Sequence, residues 1–157
     1  MRKQTKKVIR IISAVLFVGY VLCMIYFLFF AESYGRVQDS GSVYHYNLHP
    51  FLEIRRFWRY RKQLGMFSVL INIFGNVVCF IPYGFMLPIL SKEFRNGFLI
   101  VLSGFTISFA VEVIQLATRV GTFDVDDLIL NTLGTVLGYF AFTICNKIRR
   151  NYYGKKI

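Results

Sequence analysis

Residues 112–138 read EVIQLATRVGTFDVDDLILNTLGTVLG, and the fold turns on how this stretch is parsed. Two apolar runs flank a short acidic turn, and polar side chains extend from the turn into both runs. Glu112, Gln115 and Arg119 are spaced i, i+3, i+7, which lines them along one face of a helix. Asp127, Asn131, Gly134 and Gly138 form a second stripe at helical spacing on the following run. A carboxylate in the middle of a membrane helix costs about 3 kcal/mol unless another group answers it. The stretch therefore reads as two membrane helices with a functional candidate, Glu112, at their junction.

The rest of the chain agrees with a membrane setting. It has 157 residues, 55% of them hydrophobic, and a net charge of +11. Mean hydropathy is +0.50, above the range of soluble domains. The basic residues lie between apolar blocks rather than in one patch, which argues against nucleic acid and for cation-flanked membrane spans. Length suits a single domain, with no internal repeat. Cys23, Cys79 and Cys145 all fall inside apolar runs without metal-ligand spacing and read as small packing residues.

Working outward, the run 8–30 follows Arg2, Lys3, Lys6, Lys7 and Arg10. It exceeds a signal-peptide core of about 7–15 residues and reads as an uncleaved span. Its aromatic end, Tyr26, Phe27, Phe29 and Phe30, suits the far interface. Residues 34–50 read as a loop, in which His45 and His49 are solvated. Over 51–62 a helix places Phe51, Ile54, Phe57 and Trp58 on one side and Arg55, Arg56, Arg59 and Lys62 on the other. Leu52 and Arg61 break that pattern. An interfacial helix with its basic face toward phosphates fits, as does a solvated helix packed on the bundle. Further spans follow at 65–90, 97–117 and 128–145, with a kink or end expected near Pro82 and Pro88. The expected fold is an all-α membrane protein: four transmembrane helices plus an amphipathic interfacial helix, in one domain covering 1–157.

Charge sets the expected orientation. The N-terminus, the turn 91–96 and the C-terminal tail share a side and carry twelve Lys and Arg. The opposite side carries seven, five of them packed between Arg55 and Lys62. The positive-inside rule then places both termini in the cytoplasm and the acidic turn outside. On that topology Glu112 lies roughly 22 Å from the inner end of a core about 30 Å thick. Asn72, Asn76, Gln115, Arg119, Asp124, Asp127 and Asn131 fall near the same outer level. The reading is an outer-leaflet pocket with these residues and Glu112 as ligand contacts, and Arg55, Arg56, Arg59 and Lys62 as contacts to an anionic surface.

Plainer roles stand beside each of these. Glu112, Gln115 and Arg119 suit a structural polar relay, and Asn72 and Asn76 suit helix-to-helix glue. Asp124 suits an N-cap, with Asp126 and Asp127 complementing the helix dipole. Gly134 and Gly138 suit close helix packing. As chemistry, Glu112, Asp124 and Asp127 could act as acid/base groups or hold a divalent cation, with Arg119 stabilising a phosphate, and Glu112 and Asp127 are the leading catalytic candidates. No zinc motif, cofactor motif, phosphate loop, triad or nucleophile–base pair is evident in the sequence.

Four pieces of the sequence together carry a family resemblance. They are NLHPF (47–51), NVVCFIPYG (76–84), EVIQ (112–115) and the spaced set Gly121, Asp124, Asp127, Asn131, Gly134 and Gly138. In this order they resemble the VanZ-like membrane proteins over about residues 47–138, with a similar leading span. His49 departs from that pattern, which has Thr or Ile before the Pro. The resemblance implies a small bacterial membrane protein of the type linked to low-level teicoplanin resistance. Its partners would be the bilayer and a lipid-linked cell-wall precursor or lipoglycopeptide. The alternative is a membrane-embedded enzyme that modifies a lipid-linked precursor.

Overall fold

A computed structural model of the chain describes residues 3–30, 46–119 and 121–153. The loop read over 34–45, with Arg36 and His45, and the cations Arg2, Lys155 and Lys156 lie outside the described residues. The described residues form α-helices in the order α1 (Lys3–Phe30), α2 (Leu52–Arg59), α3 (Arg61–Leu64), α4 (Met66–Leu90), α5 (Gly97–Thr118) and α6 (Val125–Tyr153). A 3₁₀ turn at Glu93–Arg95 joins α4 to α5. Two short strands, β1 (Tyr46–Asn47) and β2 (Phe123–Asp124), pair in parallel, Tyr46 with Phe123 and Asn47 with Asp124.

Among the described residues, three helices are long and apolar enough to cross a membrane: Val69–Leu90, Gly97–Thr118 and Val125–Tyr152. α1 contributes a shorter apolar stretch, Arg10–Tyr26. All four long helices expose large apolar side chains, among them Val15, Phe74, Phe98 and Phe140. Such a surface is untenable in water but ordinary in hydrocarbon. The chain is an all-helical, multi-pass membrane protein.

The bundle is built around α4 and α6. Gly134 and Gly138 on α6 lie against the carbonyl oxygens of Val77 and Ile81 on α4, and a Cβ at either would run into them. Gly84 on α4 meets the Thr135 carbonyl in the same way. Small residues are what lets two membrane helices approach at backbone distance. α5 joins through Tyr83, whose hydroxyl donates to Ser103 Oγ at 3.1 Å. α1 docks on α4 through Tyr20, whose hydroxyl donates to the Cys79 carbonyl at 2.6 Å, and through Met24 against the fully buried Phe80.

The end of α4 near Pro88 agrees with the sequence reading, and two other local features differ from it. α4 continues through Pro82 and ends at Leu90, two residues past Pro88. Packing against α6 and α1 holds the helix together where the missing Pro82 N–H alone would favour a break. α6 starts at Val125 rather than 128, because Asp124 caps it and Asp126 and Asp127 are its first-turn residues. The helix read over 51–62 is also divided. α2 closes at Tyr60, and the short α3 leads through Gly65, at φ 81°, into α4. The bundle thus has a polar end, formed by α2, the two strands, the start of α4 and α6 and the end of α5. At the opposite end Tyr139 donates to the Arg95 carbonyl at 2.7 Å.

Candidate functional site

At the polar end, each carboxylate of the acidic turn is answered by an N–H donor. Asp124 caps α6, accepting the Asp126 backbone N–H at 2.8 Å. The parallel strand pair brings Asn47 alongside, and its amide donates to the same Asp124 oxygen at 3.2 Å. Glu112, on α5 and only 2% exposed, accepts the Asp124 backbone N–H at 2.9 Å. Asp127 receives the side-chain amide of Asn76 on α4. Charge-assisted bonds of this kind are about twice as strong as neutral ones, which is how carboxylates persist at such burial.

Asp126 does something else. It is 1% exposed and turns away from its own helix toward α2. One carboxylate oxygen accepts from Phe51 N–H, and the other from Glu53 N–H at 2.9 Å and Ile54 N–H at 3.1 Å. It caps a helix more than 70 positions away in sequence, satisfying donors that the start of every helix leaves open. The anchor also holds Phe51 at φ 65°, a left-handed conformation costing a non-glycine residue about 1–2 kcal/mol. α2 is therefore fixed on the bundle at a set angle.

That angle decides which side chains α2 presents. Ile54 and Phe57 are half-buried, while Arg55, Trp58 and Arg59 are exposed. Ile54, Arg55, Trp58 and Arg59 line one shallow depression. Trp58 thus shares a face with cations rather than with Phe57, which corrects the two-sided wheel. Arg56 pairs with Glu53 at 2.8 Å, and Arg61 lies over the Trp58 ring and donates to the Trp58 carbonyl. Among the described residues, no hydrogen bond or ion pair engages Arg55, Arg59 or Lys62.

A second polar seam runs deeper between α5 and α6. Asn131 donates to Ser108 Oγ at 2.9 Å, and Thr135 donates to the Asn131 carbonyl at 3.2 Å. Ser108, Asn131 and Thr135 are all within 1% of full burial, and the Asn131 side-chain oxygen has no hydrogen-bond partner among the described residues. Gln115 is buried on the same face of α5 as Glu112.

Of the sequence-derived candidates, the structure gathers Asn76, Glu112, Asp124 and Asp127 at the polar end and places Asn131 and Gln115 in the interior of the bundle. Asn72 is exposed on α4. Arg119 ends α5 at φ 58° and is exposed. Helical spacing does not single out Asn47, Asp126 as an anchor, or Ser108. Ser108 was within reach of the pattern, since it extends the Glu112–Gln115 stripe back by four. The partners of Asn47 and Asp126 lie too far along the chain for any spacing rule. Among the described residues, no three His, Cys, Asp or Glu side chains are arranged to hold a metal ion.

Burial pushes the Asp124 carboxyl up from 3.8 to about 6, and the charges of Asp126 and Glu53 push the same way. The bonds from Asp126 N–H and Asn47 oppose this without cancelling it. A carboxyl with a raised folded-state pKa contributes stability below the unfolded value and loses it as pH rises through the folded one. Wild-type protein should therefore lose stability relative to Asp124→Asn between about pH 4 and pH 7. Asn keeps an acceptor for the Asp126 N–H but has no proton to lose. Thermal midpoints in detergent across that range, compared between the two proteins, check this; parallel curves would contradict it.

Comparison with known proteins places this arrangement. The VanZ/LLP1 family model, VanZ-LLP1, matches residues 17–146. Protein VanZ of Enterococcus faecium is 31% identical over 145 residues, an alignment covering 88% of this chain and 78% of that relative. No solved structure matches. The matched region contains the acidic turn, its donors and the anchored helix, and the chain belongs to the VanZ/LLP1 family.

Proposed function

We propose that this protein lowers sensitivity to teicoplanin-type lipoglycopeptides, acting from an outer-leaflet polar site that engages an anionic, lipid-linked ligand. The observation that carries the reading is the anchoring of α2 by Asp126, which holds a basic, tryptophan-bearing helix at the carboxylate-rich end of the bundle. Family membership supplies the link to glycopeptide resistance. In this reading the chain is one membrane domain over 1–157 with four spans. α1 is the fourth, since its apolar stretch continues in sequence through Phe30. The excess of cations at the other end, twelve against seven, supports cytoplasmic termini and an exterior α2. α2 lies in the interface, with Trp58 at headgroup depth. Glu112, Gln115, Asp127 and Asn131 shape the site behind it.

The test is a deletion strain complemented with wild-type protein or with Glu112→Gln. Gln retains an acceptor for the Asp124 N–H while removing the charge, so protein level should hold. Deletion should raise teicoplanin sensitivity, and Glu112→Gln should restore resistance only in part. Unchanged sensitivity on deletion would remove the resistance role, and full rescue by the variant would remove Glu112 from it.

A second reading, an enzyme acting on a lipid-linked precursor, draws on Asp124. A carboxyl held near 6 is suited to proton transfer at neutral pH, with Glu112 and Asp127 in the same cluster. Turnover of such a precursor by reconstituted protein, abolished in Asp124→Asn, would favour it; no turnover in the wild type would set it aside.

A further inference from the structure

We infer that the Arg55–Trp58–Arg59 face of α2 is a binding site for the diphosphate headgroup of a polyisoprenyl lipid, an inference that rests on the outer-leaflet reading above. Arg55 and Arg59 are one helical turn apart and flank the same depression. Neither has an acidic partner among the described residues, whereas Arg56 is already neutralised by Glu53. Two guanidiniums at i, i+4 present paired forks to adjacent phosphates, a geometry that favours a diphosphate over a single charge. Beside this pair the same depression is lined by Trp58, 59% exposed, and the half-buried Ile54, also one helical turn apart. An apolar row beside a row of two cations suits a ligand that is anionic at one end and hydrocarbon beyond it.

The anchor makes this a formed site rather than a mobile charged arm. Asp126 occupies the N–H groups at the start of α2, so an incoming phosphate meets the side-chain face and not the helix terminus. α3 and Gly65 lead directly from α2 into the membrane helix α4, which keeps the face beside the bilayer. The carboxylates behind α2 are occupied by N–H donors, which limits their competition for the two guanidiniums.

The molecule carries its own probe, since Trp58 is the single tryptophan in 157 residues. Full-length protein is reconstituted in phosphatidylcholine vesicles with increasing long-chain polyisoprenyl diphosphate, and Trp58 emission is recorded. The expected result is a saturable blue shift. Phosphatidylglycerol at equal negative charge should give a clearly weaker response, and inorganic pyrophosphate none. Arg55→Gln with Arg59→Gln should weaken apparent affinity about 25-fold, taking roughly fivefold per cation near an anionic surface. Lys147→Gln with Arg150→Gln removes the same charge at the opposite end and should leave affinity unchanged.

An equal response to phosphatidylglycerol, or equal losses in the two double variants, would overturn the site in favour of unspecific charge attraction. An absent shift in the vesicles, together with raised teicoplanin sensitivity on deletion in cells, would remove the diphosphate site and leave the resistance reading standing.

Discussion

Asp126→Ala is expected to release α2 from the bundle. The variant removes three hydrogen bonds to one buried carboxylate and leaves the Phe51, Glu53 and Ile54 N–H groups to find water. Bonds to a charged acceptor are worth about 1.5–3 kcal/mol each, though three sharing one group do not add fully. A loss of about 3–4 kcal/mol in the docking of α2 follows. Phe51 then has nothing to hold it at positive φ and relaxes, which adds to the change. Opening of α2 should become on the order of 10²–10³-fold more frequent. Trypsin reads this directly, because Arg55, Arg56, Arg59, Arg61 and Lys62 all lie in the released segment. Cleavage there should accelerate by that factor while the α4–α6 core survives. Asp126→Asn, which keeps an acceptor oxygen, should fall between. Unchanged cleavage in the Ala variant would mean that α2 is held by something else.

The second large effect is expected in the membrane core. Gly138→Leu drives a side chain into the Ile81 carbonyl and the Phe85 backbone, where there is no flexible neighbour to yield. Overpacking against soft side chains costs about 1–3 kcal/mol, and rigid backbone should place this variant at or above the upper end. The helices α4 and α6 must separate, and with them the Asn76–Asp127 bond. Folded yield and thermal midpoint in detergent should both fall sharply. Gly19→Leu is the control, since nothing lies within 4 Å of a Cβ there. It should stay within about 0.5 kcal/mol of wild type. Equal behaviour of the two would contradict the close packing of α4 on α6.

What could be read from the residues and what could not follows from the range of the physics involved. Hydropathy and length mark the apolar runs because lipid selects on each segment by itself. Helical spacing groups Glu112 with Gln115, and Asp127 with Asn131, because both members of each pair lie on one helix. It names neither Asn76 as the partner of Asp127 nor the Asp124 backbone as the partner of Glu112. The capping role of Asp124 is local and legible; the anchor from Asp126 to α2 spans more than 70 positions and is not. The strand pair of Tyr46 and Asn47 with Phe123 and Asp124 is likewise invisible, being only two residues on each side. Trp58 was placed with Phe57 by an ideal wheel. The anchored angle of α2 instead leaves it exposed, lining one depression with Arg55 and Arg59.

The central claim is that buried carboxylates hold a basic helix on the exterior face of the membrane. Its most direct test is sided thiol labelling in intact cells, with the three native cysteines replaced and a single cysteine introduced at Lys62 or at Tyr152. A membrane-impermeant maleimide should modify position 62 in whole cells and position 152 only after permeabilisation. Labelling of 152 but not 62 from outside would invert the topology, and the account of an exterior ligand site would fall with it.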